Sequence, residues 1–407
     1  MNILFFSENF PPETNAAATR VFERAVYWAR WGHKVTVITC APNFPHGKLF
    51  DGYANSWYQT EIMSGIKVVR VKTYIAANQG VIRRSLDFIS FLITGSVAGL
   101  LQPRPEIIAG TSPQFFAVVA TWLVAGLKRT RFVFELGDLW PHSLSAVGVL
   151  KKGFLLNLFE KFELFLYRRS VAVAALTPAF KTNLVSRGIP ATKIHVVLNG
   201  VDLDRYEPRE RNEELAGKWG LTEKFIVGYI GTHGMAHGLV NVLNAADLLA
   251  KHSDIAFLFV GAGAEREDLA NESLRRRQKN VVFIPAQPKQ SMPDIWSLCD
   301  VALVHLNDSP AFADVLPSKI FEAMAMGLPV LLVSPEGEAS QLIKKHKAGL
   351  WVPAGEPRPL SDVVRCLSTD KPQCDSLAMS SLAAAPLYSR ELQARKMLDV
   401  FRWSLER

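Results

Sequence analysis

Cysteine is scarce in this chain: four in 407 residues, Cys40, Cys299, Cys366 and Cys374, with no Cys-x-x-Cys pair. That spacing offers neither a disulfide framework nor a zinc cluster, and a reducing, cytoplasmic setting is the simpler expectation. Long apolar runs are lacking too. The most apolar stretch, "LDFISFLITGSVAGLL" (86–101), carries an Asp, two glycines and serines. It falls short of the roughly 20 apolar residues of a spanning helix, so a buried core helix is expected. The opening "MNILFFSENF" has no basic segment ahead of an apolar one and reads as a first strand, not a signal peptide. Also missing are a Walker A run, a complete GxGxxG and a His-Glu-x-x-His, so dinucleotide and zinc-hydrolase signatures are absent. No helix-turn-helix, zinc-finger or RNP-like pattern supports a nucleic-acid partner.

What is present describes a folded protein: 49% hydrophobic and 21% charged residues, enough length for two or three domains. Net charge is +8, unevenly placed. Residues 1–200 hold 22 Lys+Arg against 11 Asp+Glu, whereas the remainder holds 24 against 27. The basic excess belongs to the first half and suits a phosphorylated substrate or an anionic membrane surface. Arg83 and Arg84 before the 86–101 segment, and Lys128, Arg129 and Arg131 after a second apolar helix, favour the membrane surface.

Short β-branched runs alternate with amphipathic stretches throughout. "NILFFS", "KVTVITC", "GIKVVRV", "EIIAGT", "RFVFEL", "VAVAALT" and "KIHVVLN" read as strands of a first parallel sheet. After the charged crossing "LNGVDLDRYEPRERNEELAGKWG", a second series follows: "KFIVGYIG", "IAFLFVGAG", "VVFIPAQ", "VALVHLN", "PVLLVS" and "GLWVPAG". This βαβα order predicts an α/β class with two Rossmann-like halves, a cleft between them and a strong closing helix that packs back.

Several stretches could carry chemistry. In "FADVLPSKIFEAMAMGLPVLL" (312–332), Pro317 and Ser318 read as a helix start with serine as cap, and Gly327 and Pro329 as its stop. A helix start favours phosphate, Lys319 would add a full charge, and Glu322 is spaced to accept from a ribose. The loop Ser7–Arg20, which holds Glu13 and Asn15, is polar and rich in small residues before a helix. "VGYIGTHGMAHG" places Gly231, Gly234 and Gly238 after the first strand of the second half, where phosphates often sit. His233 and His237 lack the glutamate of a zinc motif, and Asp202-x-Asp204 follows an Asn-Gly turn, so metal binding is not expected at either. "FELGDLWPHS" sets Glu135, Asp138 and His142 just after a strand, facing the expected cleft.

Taken in order, "ILFFSENFPPE", "ARWGHKVTVIT", "PNFPHGKLFDGY", "TSPQFFA", "DLWPHS", "LNGVD", "GYIGTHGMAHGL", "FLFVGAGAERE" and "LPSKIFEAMAMGLPVL" resemble the GT-B-fold glycosyltransferases of family GT4. Among them the chain looks most like bacterial transferases that build O-antigen and capsule repeat units, of the N-acetyl-L-fucosamine transferase type. The resemblance implies an acceptor-binding domain over 1–203, a nucleotide-sugar-binding domain over 204–385, and a helix over 386–407 packing back on the first. It implies a retaining, metal-independent transfer of a sugar from a nucleotide sugar, UDP-linked, to a polyprenyl-diphosphate-linked saccharide. The setting would be peripheral, at the inner face of the cytoplasmic membrane, with no cofactor. The family's acidic pair, E-x7-E, falls on Asp314, a shorter acid, and Glu322, which implies contacts to the donor sugar and the ribose. Where relatives carry an Arg and a Lys for the diphosphate, this chain has Thr232 and His237, which shifts neutralisation toward Lys319 and Ser318. Asp138, Asp314 and Lys319 are thus the expected catalytic group. Glu322, Ser318, Gly231, Thr232, His237, Glu13 and Asn15 are the expected donor contacts. A GT-B UDP-sugar 2-epimerase and a non-catalytic, membrane-docked partner are the alternatives.

Overall fold

The computed structural model describes residues 1–44, 47–75, 81–139 and 154–407. They form two compact units: Met1–Asn199 with Arg390–Arg407, and Gly200–Ser389.

The described elements of the first unit are β1 (Asn2–Phe6), α1 (Ala16–Arg30), β2 (Lys34–Cys40), β3 (Tyr58–Met63), β4 (Ile66–Val71), α2 (Val81–Leu101), β5 (Ile107–Thr111), α3 (Phe115–Lys128), β6 (Arg131–Leu136), α4 (Phe154–Arg169), β7 (Ala172–Ala175), α5 (Pro178–Ser186) and β8 (Ile194–Val196). Their sheet runs β3-β4-β2-β1-β5-β6-β7-β8, parallel except for β3. Alternate residues of each strand serve opposite faces. Leu4, Phe6, Ile38 and Ile108 pack with α2 and α3, while Ile3, Phe5, Val37 and Ala109 pack with α1. Every strand foreseen in this half is present. The unforeseen one, β3, is an edge strand of mostly exposed residues, "YQTEIM", so no burial pattern marks it in the sequence.

The second unit contains α6 (Glu213–Lys218), β9 (Phe225–Ile230), α7 (Val240–Leu248), β10 (Ile255–Gly261), α8 (Arg266–Arg275), β11 (Val281–Pro285), α9 (Met292–Trp296), β12 (Val301–His305), α10 (Lys319–Ala325), β13 (Val330–Ser334), α11 (Glu338–His346), β14 (Gly349–Pro353), α12 (Pro357–Thr369) and α13 (Lys371–Ala384). Its all-parallel order, β11-β10-β9-β12-β13-β14, reverses direction between β9 and β12. Loops after those two strands leave toward opposite sides, which opens a crevice at their carboxyl ends.

The closing helix α14 (Arg390–Glu406) belongs to the first unit. Trp28 of α1, buried as its spacing with Val21 and Ala25 predicts, donates from Nε1 to the Ala394 carbonyl at 3.0 Å and meets Phe401 edge-on at 5.4 Å. Arg390 pairs with Glu23 at 2.8 Å, both buried.

One expectation needs correction here. The 86–101 segment is helical, but only one of its faces is core. Phe91 and Ala98 are buried, and a Cβ on Gly99 would stand 2.6 Å from the Phe6 ring. The opposite face is open to solvent. Mean apolarity gave no hint of that, because exposed and buried faces are equally apolar.

Candidate functional site

The second unit's crevice is built from tightly apposed backbone. Gly231, just past β9, has φ +139°, and Gly261, at the end of β10, has φ +152°. A Cβ on Gly261 would lie 1.9 Å from the Gly231 carbonyl oxygen, so only glycine fits there. The Gly231 and His233 amides donate to the carbonyls of Val260 and Ala262, each at 2.9 Å, and the Glu265 amide donates to that of His233 at 3.0 Å. The glycine-rich loop is thereby tied to the end of β10 and the start of α8.

Lys319 opens α10 and reaches back over this loop. Its Nζ lies 3.7 Å from the centre of the Tyr229 ring and 3.0 Å from where a Gly231 Cβ would stand. The Nζ is shielded from solvent and has no hydrogen-bond partner. Burial pulls its pKa down to about 7, against the opposing pull of Glu322 one turn on. Ser318 stands at the N-cap position as expected, yet its side chain makes no capping hydrogen bond, so the hydroxyl is not spent on the helix. The helix is only seven residues long. The charge that matters here is therefore the lysine's. Asp314 is half-buried, and desolvation raises its pKa.

Three histidines surround this cation, and none favours a charge of its own. His237 donates from Nδ1 to the His305 carbonyl at 3.3 Å, and His305 donates from Nδ1 to the His237 carbonyl at 2.6 Å. Asn241 Nδ2 donates to His305 Nε2 at 3.0 Å, which holds that ring in its neutral tautomer. The reciprocal pair stitches the loop after β9 to the end of β12. Burial first, then Lys319, pulls His237 down to about 3 and His233 to about 4. His305 falls to about 4 through burial, with Lys319 again opposing its charge. His233 is fully buried among Tyr229, Phe259 and Phe283, at 5.7–6.1 Å between ring centres, with neither ring nitrogen hydrogen-bonded. Thr232 is exposed, and its carbonyl accepts from the Tyr229 hydroxyl at 2.7 Å.

The sequence singled out Lys319, Glu322, Gly231 and His237 and weighed His233 only as a zinc ligand; it did not single out Tyr229 or His305. A polar residue closing the otherwise apolar strand "VALVH" was the available signal for His305.

In the first unit, the anticipated residues are engaged within the fold. Glu13 is buried, and its Oε1 accepts from the Asn43 and Phe44 amides at 2.8 and 2.9 Å. Desolvation raises its pKa against those bonds. Asn15 caps α1, with Oδ1 accepting from the Ala18 amide at 2.9 Å. Glu135 does not face a cleft as expected: it is buried in an ion cluster with Arg20 (3.2 Å) and Arg24. Burial pushes its pKa up, but the two guanidiniums outweigh that and hold it below the ordinary range. Arg20 also reaches Thr111 at 3.0 Å, and Arg24 donates to the Leu198 carbonyl at 2.7 Å. No single stretch of sequence unites these residues, so the cluster left no local signature. Asp138 is half-buried just past β6, while His142 lies outside the described residues. Asp202 accepts from the Asp204 amide at 3.2 Å and pairs with Arg205 at 3.2 Å, a turn closed on itself. Among the described residues no group of three His, Cys, Asp or Glu could hold a metal ion.

Residues 15–200 match the family described as "Glycosyl transferase 4-like domain", and residues 211–381 match "Glycosyl transferases group 1". WcaI of Escherichia coli (strain K12), which carries the name of a colanic acid biosynthesis glycosyl transferase, is 26% identical over 80% of this chain and 82% of its own. A GDP-mannose-dependent alpha-mannosyltransferase of Mycobacterium tuberculosis (strain CDC 1551 / Oshkosh) is 24% identical over 88% of this chain and 85% of its own. The crystal structure of Anabaena Alr3699/HepE with UDP-glucose shares the fold, with a TM-score of 0.72 over 99% of each chain at 17% identity.

Proposed function

We propose that this chain, whose first half matches a 4-like glycosyl transferase domain and whose second half matches the group 1 glycosyl transferases, is a glycosyltransferase that moves a sugar from a UDP-sugar to a polyprenyl-diphosphate-linked saccharide. The sugar is an N-acetylated deoxyhexosamine, and the product an O-antigen or capsule repeat unit made at the inner face of the cytoplasmic membrane. Polysaccharide assembly draws support from the name of the Escherichia coli relative, and a UDP donor from the ligand in the Anabaena structure.

The observation that carries the reading is the Lys319 Nζ, buried and unpartnered beside a glycine loop at the sheet's reversal point. A desolvated cation that makes no hydrogen bond, with Glu322 acting on it only through its charge, is suited to an anion that arrives later. A diphosphate there restores the lysine's full charge by direct attraction, which opposes the burial that depresses it in the free protein. The Ser318 hydroxyl adds a donor, Glu322 accepts from the ribose, and Asp314 accepts from the sugar hydroxyls. His237 keeps an acceptor lone pair on Nε2 while Nδ1 is tied to backbone, and so serves the loop's shape more than its charge.

In the reaction, the bond between the anomeric carbon and the diphosphate oxygen breaks as the acceptor hydroxyl attacks from the same face. The hydroxyl's proton passes to the departing phosphate, and configuration is retained. Lys319 stabilises the charge that develops on the leaving group, work a metal would otherwise do.

Calorimetric titration with UDP, GDP, ADP and CMP tests this reading on the wild type, Glu322→Ala and Lys319→Ala. The expected outcome is selective UDP binding, weakened at least tenfold, about 1.4 kcal/mol, in both variants. Selective binding of GDP would transfer the donor class to GDP-sugars. Folded protein that binds no nucleotide would refute the transferase reading.

A further inference from the structure

The solvent-facing side of α2 is out of keeping with a soluble surface. Leu86, Ile89, Ile93, Val97 and Leu100 recur at helical spacing on one stripe, each 39–59% exposed. At 1.5 Å per residue the stripe is about 21 Å long. Leu123 and Leu127 on α3, which packs beside α2, add exposed area, the latter at 70%. Singly exposed leucines are ordinary, but a contiguous row is not. The helix cannot leave the fold to cross a membrane. Its opposite face is locked in the core by Phe91 and by the Gly99 contact with Phe6, and none of the described helices is long and apolar enough to span.

Charge decides what covers the stripe. At its start stands exposed Arg83; at its end are Lys128 and the exposed Arg104, Arg129 and Arg131, with Glu106 the one acid lining the shallow pocket they form. Lys128 donates to the Leu100 and Gln102 carbonyls at 2.9 and 2.6 Å, which fixes its charge at the end of α2. Asp87, the only acid of the helix, is buried. A second copy docked two-fold, helix against antiparallel helix, would bring Arg83 of one chain onto Arg129 of the other. An anionic lipid surface meets both needs, apolar depth for the stripe and negative headgroups for its basic ends.

We propose that α2, with the exposed end of α3, is a monotopic docking surface that lies in the plane of an anionic bilayer, its stripe sunk among the acyl chains and its basic ends among the phosphates. The choice of a lipid surface rests on the lipid-linked acceptor proposed above, while the stripe itself stands independently of it.

The test is co-sedimentation of the full chain with phosphatidylglycerol-containing and pure phosphatidylcholine vesicles, at low and high salt. Wild type is expected to bind the anionic vesicles, less at high salt, and to bind the neutral ones weakly. Ile89→Glu with Ile93→Glu is expected to lower partitioning more than tenfold. Ile93→Ser, which removes apolar area without adding charge, should lower it about fivefold. UDP titration of the same samples separates the two readings. Lost vesicle binding by wild type that still binds UDP overturns the docking surface alone, and retained vesicle binding without UDP affinity overturns the transferase reading alone. Undiminished partitioning of the double variant would overturn the assignment to α2. So would a wild-type dimer in sedimentation that the double variant abolishes, since the stripe would then belong to a second copy.

Discussion

Both units bury cations near the carboxyl ends of their sheets, and they treat them in opposite ways. In the first, Arg20, Arg24 and Arg390 are closed on Glu135 and Glu23 and on backbone carbonyls. In the second, Lys319 faces an aromatic ring, backbone and three neutral histidines. The first arrangement spends its charges on holding α1, β6 and α14 in place. The second leaves one charge in reserve. Paired burial stabilises a shape, whereas unpaired burial costs stability and returns it as affinity for an anion.

The sharpest way to break that contrast is to unpair the first cluster. Glu135→Gln leaves two buried guanidiniums facing each other and should destabilise the first unit by about 3–5 kcal/mol, read as a fall in its urea midpoint. Next in size is the histidine stitch. His305→Leu strands the His237 carbonyl and the Asn241 amide, and should cost the second unit about 1–3 kcal/mol, seen as faster amide exchange in the 231–238 loop.

The mildest effect tests the reserve itself. The Lys319 pKa is near 7 in the folded protein and 10.5 as a free side chain. Between those values the unfolded chain holds a proton that the folded one has released, so the lysine's contribution makes stability rise with pH. Its slope is at most about 1.4 kcal/mol per pH unit. Below pH 7 both states are charged and the full penalty is present; above 10.5 both are neutral and it has vanished. Subtracting the profile of Lys319→Met isolates this slope, and a flat difference would mean that the cation is paired after all. If the proposed diphosphate site is correct, UDP binding near pH 8 takes up as much as one proton. Titrations in buffers of different ionisation heat would show that uptake in wild type and lose it in Lys319→Met.

The alternation of strands and helices, and with it the doubly wound class, was legible because parallel strands buried on both faces read as short apolar runs. β3 was not, since an exposed edge strand carries no such run. The start of α10 at Lys319 could be read from Pro317 and Ser318, although the expected serine cap did not form. Glu135 looked like an exposed acid because its two partners lie 111 and 115 residues away in the chain.

By itself the sequence determined the buried strands, their alternation with helices and where a lysine meets a helix start, because these depend on neighbours a few residues apart. Only the tertiary structure decided that Lys319 lost its water without gaining a partner, that three histidines stay neutral around it, and that one side of α2 was left uncovered. Desolvation and exposure are set by what folds on top of a side chain, and that comes from distant parts of the chain.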